Sequence, residues 1–390
     1  MKVTCTQAEL SRALSAVSRA VSTKTTLPVL QNILLATGTN EAGETRLKLA
    51  ATNLEISVTT FCPATTETEG AVTIPARLLA DFVNNIPKDA LVTLTLSDDA
   101  SLTLNIKAGR LEANIKGIAA EDFPELPNTA TNINVLTMRA GVLRAAIGQT
   151  VFAASSDESR PVLTGVFASF EGGKVTLACA DSFRLAVKTA PIDIPPDSNF
   201  NLLLPARAMQ ELSHVLASDP PESLVEISTT ANKSQALFKT GAISFTSSLI
   251  EGNFPNYQQI IPKSYATRIV FATDQLLKGV KVASLFSMGD GNNIVRLAIE
   301  AGNDVTPGGL VMSANNNQVG DHRGEVDGVV SGPATEIALN AKFMQDVLGV
   351  VGTGWVAFEL SGSSHPGVFK SVSSGDDYLY VIMPMHLAPR

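Results

Sequence analysis

From Leu10 to Ser22 the apolar and polar positions separate at helical spacing. Leu10, Leu14, Val17 and Val21 share one face, and Arg12, Ser15, Arg19 and Ser22 share the other. The stretch after Pro75 does the same, with Leu78, Leu79, Phe82, Val83 and Ile86 opposite Arg77, Asp81, Asn84 and Lys88. A short β-branched run, Val72 to Ile74, leads into it. Pro75 suits the first helical position, where its missing N–H has no partner to lose, and Pro87 is expected to stop the helix. Beyond it the period changes to two: Leu91-Val92-Thr93-Leu94-Thr95-Leu96 and Leu102-Thr103-Leu104-Asn105-Ile106 alternate like half-buried antiparallel strands, with a turn expected over Ser97 to Ala100.

This order of elements comes back twice. Ile74-Pro75-Ala76-Arg77 returns as Leu204-Pro205-Ala206-Arg207 and, worn down, as Leu339-Asn340-Ala341-Lys342. The first amphipathic stretch is matched by Val142 to Val151 and by Leu276 to Leu285. Asp122-Phe123-Pro124 is matched by Asn253-Phe254-Pro255. Leu49-Ala50-Ala51-Thr52-Asn53 is matched by Leu177-Ala178-Cys179-Ala180-Asp181 and weakly by Met312-Ser313-Ala314-Asn315. A period of about 130 residues is too long for a solenoid unit and fits an independent domain. The expected fold class is therefore α+β, three similar domains of antiparallel sheets with two helices each, bounded at 1–128, 129–264 and 265–390. Linkers are expected near Pro127 to Asn132 and near Pro262 to Thr267. In the third repeat, Gly302 to Gly328 is long, polar and Gly/Asn/Asp-rich, and reads as an enlarged or mobile loop.

Composition narrows the class. With 390 residues, 45% hydrophobic and 17% charged, the chain can fill real cores, which argues against disorder. No apolar run reaches the roughly 18 residues of a membrane helix, and Met1-Lys2-Val3-Thr4 enters a strand pattern without a signal-peptide core, so no membrane association and a cytoplasmic location are expected. Cys5, Cys62 and Cys179 are too few and too scattered for a disulfide framework or a zinc site, and read as buried free thiols.

The net charge is −8, yet Arg12, Arg19, Arg77, Arg144, Arg207, Lys278, Lys281 and Lys342 sit on the repeated helices. Either these are ordinary solvated side chains, shared with Glu9, Asp81, Glu211, Asp274 and Asp346, or they converge on a polyanion. Catalytic patterns are not found. His214, His322, His365 and His386 have no metal-ligand spacing, and Asp321-His322-Arg323 falls in the expected loop. Gly289-Asp290-Gly291-Asn292 reads as a turn, and Ser156-Asp157-Glu158-Ser159 lacks a nucleophile-elbow context. No metal, cofactor or enzymatic activity is expected.

Five segments carry a resemblance to a known family: Leu27-Pro28-Val29-Leu30, Ser159-Arg160-Pro161-Val162-Leu163-Thr164-Gly165-Val166, Ala180-Asp181-Ser182-Phe183-Arg184-Leu185-Ala186-Val187, Glu251-Gly252-Asn253-Phe254-Pro255-Asn256-Tyr257 and Tyr380-Val381-Ile382-Met383-Pro384-Met385. The chain resembles the bacterial sliding clamps, the β subunits of DNA polymerase III, from Met1 to Leu387. The resemblance implies the DNA clamp fold and a head-to-tail homodimer closing a ring, with helices lining the hole. It implies sequence-independent contact with double-stranded DNA at the eight helix residues above and at Lys24, which otherwise reads as a mobile surface lysine. It further implies a cleft that takes short peptide motifs, formed by Arg160, Leu163, Ala180, Ser182, Phe183, Arg184, Leu185, Pro255, Ile260, Val381, Met383, Pro384 and Met385. Implied partners are the DNA polymerase III α subunit, the clamp loader, translesion polymerases, mismatch-repair proteins and ligase. At the subunit interface, Ala113 and Ile115 are expected to meet Leu285 and Phe286. Phe183 stands where the family commonly has histidine and His386 where it often has arginine, so peptide preference is expected to differ. The runner-up is a clamp-family variant that acts as an interaction or inhibitor-resistance protein rather than as the replicative clamp.

Overall fold

The computed structural model describes residues 1–22, 25–39, 43–97, 101–126, 133–193, 199–287, 293–302, 308–316, 318–352, 354–373, 375 and 377–385. Among the described residues six α-helices, α1 (Gln7–Val17), α2 (Ala76–Asn84), α3 (Ala140–Thr150), α4 (Ala206–Leu216), α5 (Thr273–Leu285) and α6 (Ala341–Val350), are set among antiparallel strands. The chain forms two compact units that do not follow the repeat. One comprises Met1–Val142, Asp193–Pro195 and Arg207–Leu249; the other comprises Leu143–Ile192, Pro196–Ala206 and Ile250–Arg390.

The first unit holds two sheets. One runs, in spatial order, Thr65–Thr68, Lys2–Thr6, Leu91–Leu96, Thr103–Ala108, Leu111–Lys116. The other runs Ile133–Arg139, Leu224–Thr229, Gln235–Thr240, Ile243–Ser248, Ile56–Cys62, Thr45–Thr52, Asn32–Thr39, Ala71–Pro75. Alternating burial along Lys2–Thr6 and Thr103–Ala108 gives each strand one core face, as the period-two pattern requires. Helix α1 starts at a capping box: the Thr6 Oγ1 accepts the Glu9 N–H at 3.3 Å and donates to the Glu9 carboxylate at 2.9 Å. It buries Leu10, Leu14 and Val17 and packs on α2, whose Val83 carbonyl accepts from the buried Gln7 side chain at 2.9 Å.

The second unit repeats the plan. Its larger sheet runs Phe200–Pro205, Gly165–Glu171, Lys174–Ala180, Arg184–Pro191, Asp377–Ile382, Gly367–Ser371, Trp355–Leu360, Thr267–Ala272, Val329–Ser331. Its smaller one runs Gly320–Asp327, Gly309–Asn316, Ile294–Glu300, Thr335–Asn340. In each unit a seam joins two repeats: Ile243–Ser248 pairs with Ile56–Cys62, and Asp377–Ile382 pairs with Arg184–Pro191.

Several local expectations are corrected. Pro75 is the residue before α2, with ψ 115°, not its first helical residue, and the helix ends at Asn84, before Pro87 is reached. Leu78 lies outside the core stripe and is 54% exposed, because α2 buries only the narrower set Ala76, Leu79 and Val83, with Ile86 just beyond. At the third marker Asn340 replaces proline by capping α6, its Oδ1 accepting the N–H groups of Lys342 and Phe343 at 2.9 and 3.2 Å. Most of the polar stretch 302–328 is hairpin and not loop: Gly309–Asn316 and Gly320–Asp327 pair antiparallel, while 303–307 and 317 lie outside the described residues. His322 belongs to that hairpin, its ring stacked on Phe286 with centroids 5.5 Å apart. The turn at 98–100, the first linker at 127–132, Gly289 to Asn292 and His386 lie outside the described residues.

Candidate functional site

The thirteen cleft candidates come from four segments, all in the second unit. Their floor is the seam. Leu185 stands opposite Val381 across it, and both belong to a buried cluster with Ala178, Ala180, Val187 and Val368. Phe167, Phe254, Tyr257 and Ile261 pack against this cluster, and Phe254 stacks on Phe167 at 5.3 Å, which fixes the segment carrying Pro255 and Ile260. Gly252 holds the approach of this segment to the Pro161–Thr164 turn: its φ is +124°, and a Cβ there would lie 2.8 Å from the Val162 side chain. The Met383 N–H donates to the Phe183 carbonyl at 2.8 Å and the Met385 N–H to the Ala338 carbonyl at 2.8 Å, which ties down the chain end. Above the buried floor, Ile260 (49%), Phe183 (51%) and Met383 (40%) are exposed apolar side chains. Leu163, Pro384 and Met385 are half-buried, and Arg160 and Pro255 are exposed at the rim.

Ala180 and Arg184 are linked by a tight turn in which the Asp181 Oδ1 accepts the N–H groups of Phe183 and Arg184 at 2.7 and 2.9 Å. Arg184 is pinned from all sides. Its guanidinium donates to Asp181 at 2.9 Å, to Asp346 of α6 at 2.6 Å and to the Phe152 carbonyl at 2.8 Å, and lies 4.3 Å from the centre of the Phe343 ring. Burial works against its charge, but the surrounding Tyr380, Asp346 and Asp181 more than offset this and hold its pKa above the ordinary arginine value. Phe183 stacks on Phe343 at 6.5 Å and extends an aromatic shelf. Arg160 makes one long contact, 3.4 Å, to the Ser182 hydroxyl and is otherwise open to solvent. Asp346, Phe343, Phe152 and Val368 were missed in the sequence. Nothing in a linear pattern joins α6 to a turn 162 residues earlier.

The first unit contains the same frame without the same chemistry. There the Asn53 Oδ1 accepts the N–H groups of Glu55 and Ile56 at 3.0 and 2.8 Å. But Ile56 occupies the place of Arg184, and Ser57 stands opposite Thr246 where Leu185 faces Val381. A polar pair at the floor removes the apolar surface an aliphatic anchor needs.

The helix candidates Arg12, Arg19, Arg77, Arg144, Arg207, Lys278, Lys281 and Lys342 are all exposed, and Lys24 lies outside the described residues. Arg77, Lys278 and Lys342 each lean on a carboxylate one turn on, Asp81, Asp274 and Asp346, at 3.8, 3.5 and 3.4 Å. The two fully exposed pairs, at Arg77 and Lys278, contribute little and leave those cations available, and Lys342, itself exposed, shares Asp346 with Arg184. Among the expected interface residues, Leu285 is 60% exposed and Phe286 half-buried, but Ile115 is only 5% exposed, packed into its own sheet, so that strand offers its backbone edge rather than the Ile115 side chain. Asp157 is held below the usual carboxylate range chiefly by the Ser159 hydroxyl and N–H, as part of a surface turn. Burial pushes the Cys179 thiol up to about 12, so it stays protonated. Among the described residues no His/Cys/Asp/Glu group is placed to hold a metal, and no helix is long and apolar enough to cross a membrane.

Three repeats of antiparallel sheet with two helices, exposed cations on those helices and exposed apolar side chains above a buried seam describe a protein built from duplicated sheet-and-helix domains. Comparison with known proteins makes this specific. Models of the DNA polymerase III beta subunit match at residues 1–127 (N-terminal domain), 137–256 (central domain) and 258–386 (C-terminal domain). The beta sliding clamp of Synechococcus elongatus is 31% identical over 388 residues, covering 99% of this chain and 100% of that protein. The crystal structure of the Bacillus subtilis DNA polymerase sliding clamp superposes with a TM-score of 0.90 at 27% identity, covering 100% of both chains. The Pseudomonas aeruginosa sliding clamp bound to griselimycin gives 0.89 at 28% identity, covering 99% of this chain and 100% of that one. The chain belongs to the DNA polymerase III beta subunit family, the bacterial sliding clamps.

Proposed function

We propose that two copies of the chain close head to tail into a ring that encircles duplex DNA and tethers DNA polymerase III and other replication and repair proteins to the template, with no chemistry of its own. The observation that carries this reading is the seam. In each unit the last strand of one repeat pairs with the fourth strand of another: Ile243–Ser248 with Ile56–Cys62, and Asp377–Ile382 with Arg184–Pro191. By the same correspondence Leu111–Lys116 calls for Gly320–Asp327, and each of these strands is one of the two edges of its sheet. Pairing them between copies makes the third seam of each half-ring and removes two exposed edges. Leu285 and Phe286, which carries the His322 ring of the edge strand, would flank that junction. Each chain then contributes three domains, 1–128, 129–264 and 265–390.

A ring holds DNA by topology, so its inner surface needs only weak, sequence-independent phosphate contacts, which Arg12, Arg19, Lys24, Arg77, Arg144, Arg207, Lys278, Lys281 and Lys342 supply. An acidic chain is compatible with this because the cations are gathered on helices. The cleft at Leu163, Leu185, Val381 and Met383 takes peptide motifs of the polymerase α subunit, the clamp loader, translesion polymerases, mismatch-repair proteins and ligase in the cytoplasm. One buried Leu or Phe anchor contributes roughly 1.5–3 kcal/mol before binding costs, which places such peptides near micromolar affinity. Full-length similarity to proteins named sliding clamps favours this reading over a variant devoted to interaction or inhibitor resistance. Sedimentation velocity tests it. The wild type runs as a dimer at micromolar concentration, and Leu285→Arg, a change at an exposed position, shifts it toward monomer by at least about tenfold in Kd. A wild type that stays monomeric contradicts the ring.

A further inference from the structure

The row of residues that floors the cleft continues past it. On the cleft face of the larger sheet of the second unit, positions paired from strand to strand run Leu185, Val381, Val368, Glu359, Arg268. The first three are the buried apolar floor, and the next two are charged. Glu359 is only 4% exposed, and its carboxylate oxygens accept from Arg268 at 3.0 Å and pair with the Lys370 ammonium at 2.7 Å. Beside this trio opens a recess of about 210 Å3, walled by Val368, Glu359, Lys370, Pro262, Lys263 and Tyr265. It meets the cleft twice. Val368 belongs both to its wall and to the cleft floor, and Pro262 directly follows Ile260, a cleft residue, and Ile261, which packs on that floor. Lys263 and Tyr265 are exposed and Lys370 is half-buried, so the recess opens to solvent. Against the one carboxylate of Glu359 stand three cations, Arg268, Lys370 and Lys263, which leaves a local positive excess on a chain whose net charge is −8.

We propose that this recess extends the cleft and takes an acidic residue of the bound peptide, an Asp or Glu side chain about three positions from the apolar anchor seated over Val381. The inference rests on the peptide-cleft reading above and adds to it a place and a charge preference. Glu359 lies two strands from Val381, about 10 Å at the usual strand spacing, and an extended peptide covers about 3.3–3.6 Å per residue, which sets the three-residue interval. The Lys370 ammonium directs one donor to Glu359 and keeps two more for a ligand, and Lys263 adds a second amine at the opening. Val368 and Pro262 give the methylene stem of the incoming side chain an apolar wall. A charge contact at the margin of an apolar site selects among partners more than it tightens binding. Peptides that share the same anchors would thus be ranked by what flanks them.

The test is fluorescence anisotropy of the full-length protein with labelled Gln-Leu-Ser-Leu-Phe, both ends capped, lengthened after Phe by Gly-Gly-Glu or Gly-Gly-Gln, or before Gln by Glu-Gly or Gln-Gly. At one of the two ends the Glu peptide should bind about three- to fivefold more tightly than its Gln counterpart at low salt, a preference that shrinks as salt rises. In Lys263→Glu the preference should vanish or reverse. Lys174→Glu, which changes the net charge equally at an exposed strand position outside the recess, should keep it. Equal affinities of the Glu and Gln peptides at both ends, with the unlengthened peptide still bound, overturn the recess and leave the cleft standing. A Glu preference that persists in Lys263→Glu places the charge contact elsewhere and overturns it as well. Loss of the preference to millimolar inorganic phosphate at constant ionic strength assigns the recess to a free anion, with the same consequence. Failure of wild type to bind the unlengthened peptide removes the reading on which the inference rests.

Discussion

At the scale of single residues, Arg184 carries the most structural weight at the cleft. It fills a half-buried position with three hydrogen-bonding partners and an aromatic face, and its loss removes the cation between two half-buried carboxylates, leaving Asp181 with backbone N–H donors and Asp346 with Lys342 alone. Arg184→Ala should therefore destabilise the protein by about 3–5 kcal/mol in urea unfolding, whereas Arg160→Ala, at the solvent-facing rim, should change it by less than about 1 kcal/mol. Equal effects would mean that Arg184 is merely a surface contact. The residues themselves were legible in part. Leu163, Leu185 and Val381 could be read as ordinary core, and their gathering under one cleft is visible only where a strand of the central repeat meets the last strand of the third. Phe183 was singled out in the sequence, but its partner Phe343 was not, because α6 is brought to it by tertiary structure alone.

At the scale of elements, periodicity served well where one face is buried and poorly where neither is. The stripe Leu10, Leu14 and Val17 located α1, but its start lies at the Thr6–Glu9 capping box, ahead of the first stripe residue. Thr6→Ala should cost about 1 kcal/mol, read as a lowered urea midpoint at unchanged slope; an unaltered midpoint would show that the cap is redundant. The hairpin at 309–327 was taken for a loop because its outer strand, Gly-Asp-His-Arg-Gly-Glu-Val-Asp, buries a single side chain, Val326, and carries no hydrophobic alternation. Pro75 was assigned one position too far into α2 because the strand and helix meet without a linker. The cleft is also an event at this scale. The same turn and seam occur in both units, yet only one has Leu185 against Val381, while the other has Ser57 against Thr246. A fluorescent Gln-Leu-Ser-Leu-Phe peptide should bind wild type saturably at micromolar concentration and lose at least about tenfold with Leu163→Arg, Met383→Arg. Undiminished binding by the folded double variant would place the peptide elsewhere.

At the scale of the whole molecule, duplication explains most of the organisation. Three copies of one plan give, among the described residues, six α-helices, two internal seams and two edge strands, Leu111–Lys116 and Gly320–Asp327, that correspond to the seams, and the acidic net charge coexists with cations set along the helices. The repeat could be read from the tetrapeptide markers alone. The way the central repeat shares its strands with both neighbours could not, since strand pairing across about 190 residues leaves no local trace. The account's central claim is that the chain holds DNA by enclosure rather than by affinity. The measurement that tests it most directly loads the labelled protein onto nicked circular duplex with a clamp loader and ATP, washes in high salt, and then cuts the circle once. Enclosure predicts that the protein survives the wash on the closed circle and leaves when the DNA is linearised; loss during the wash, or retention after the cut, would contradict it.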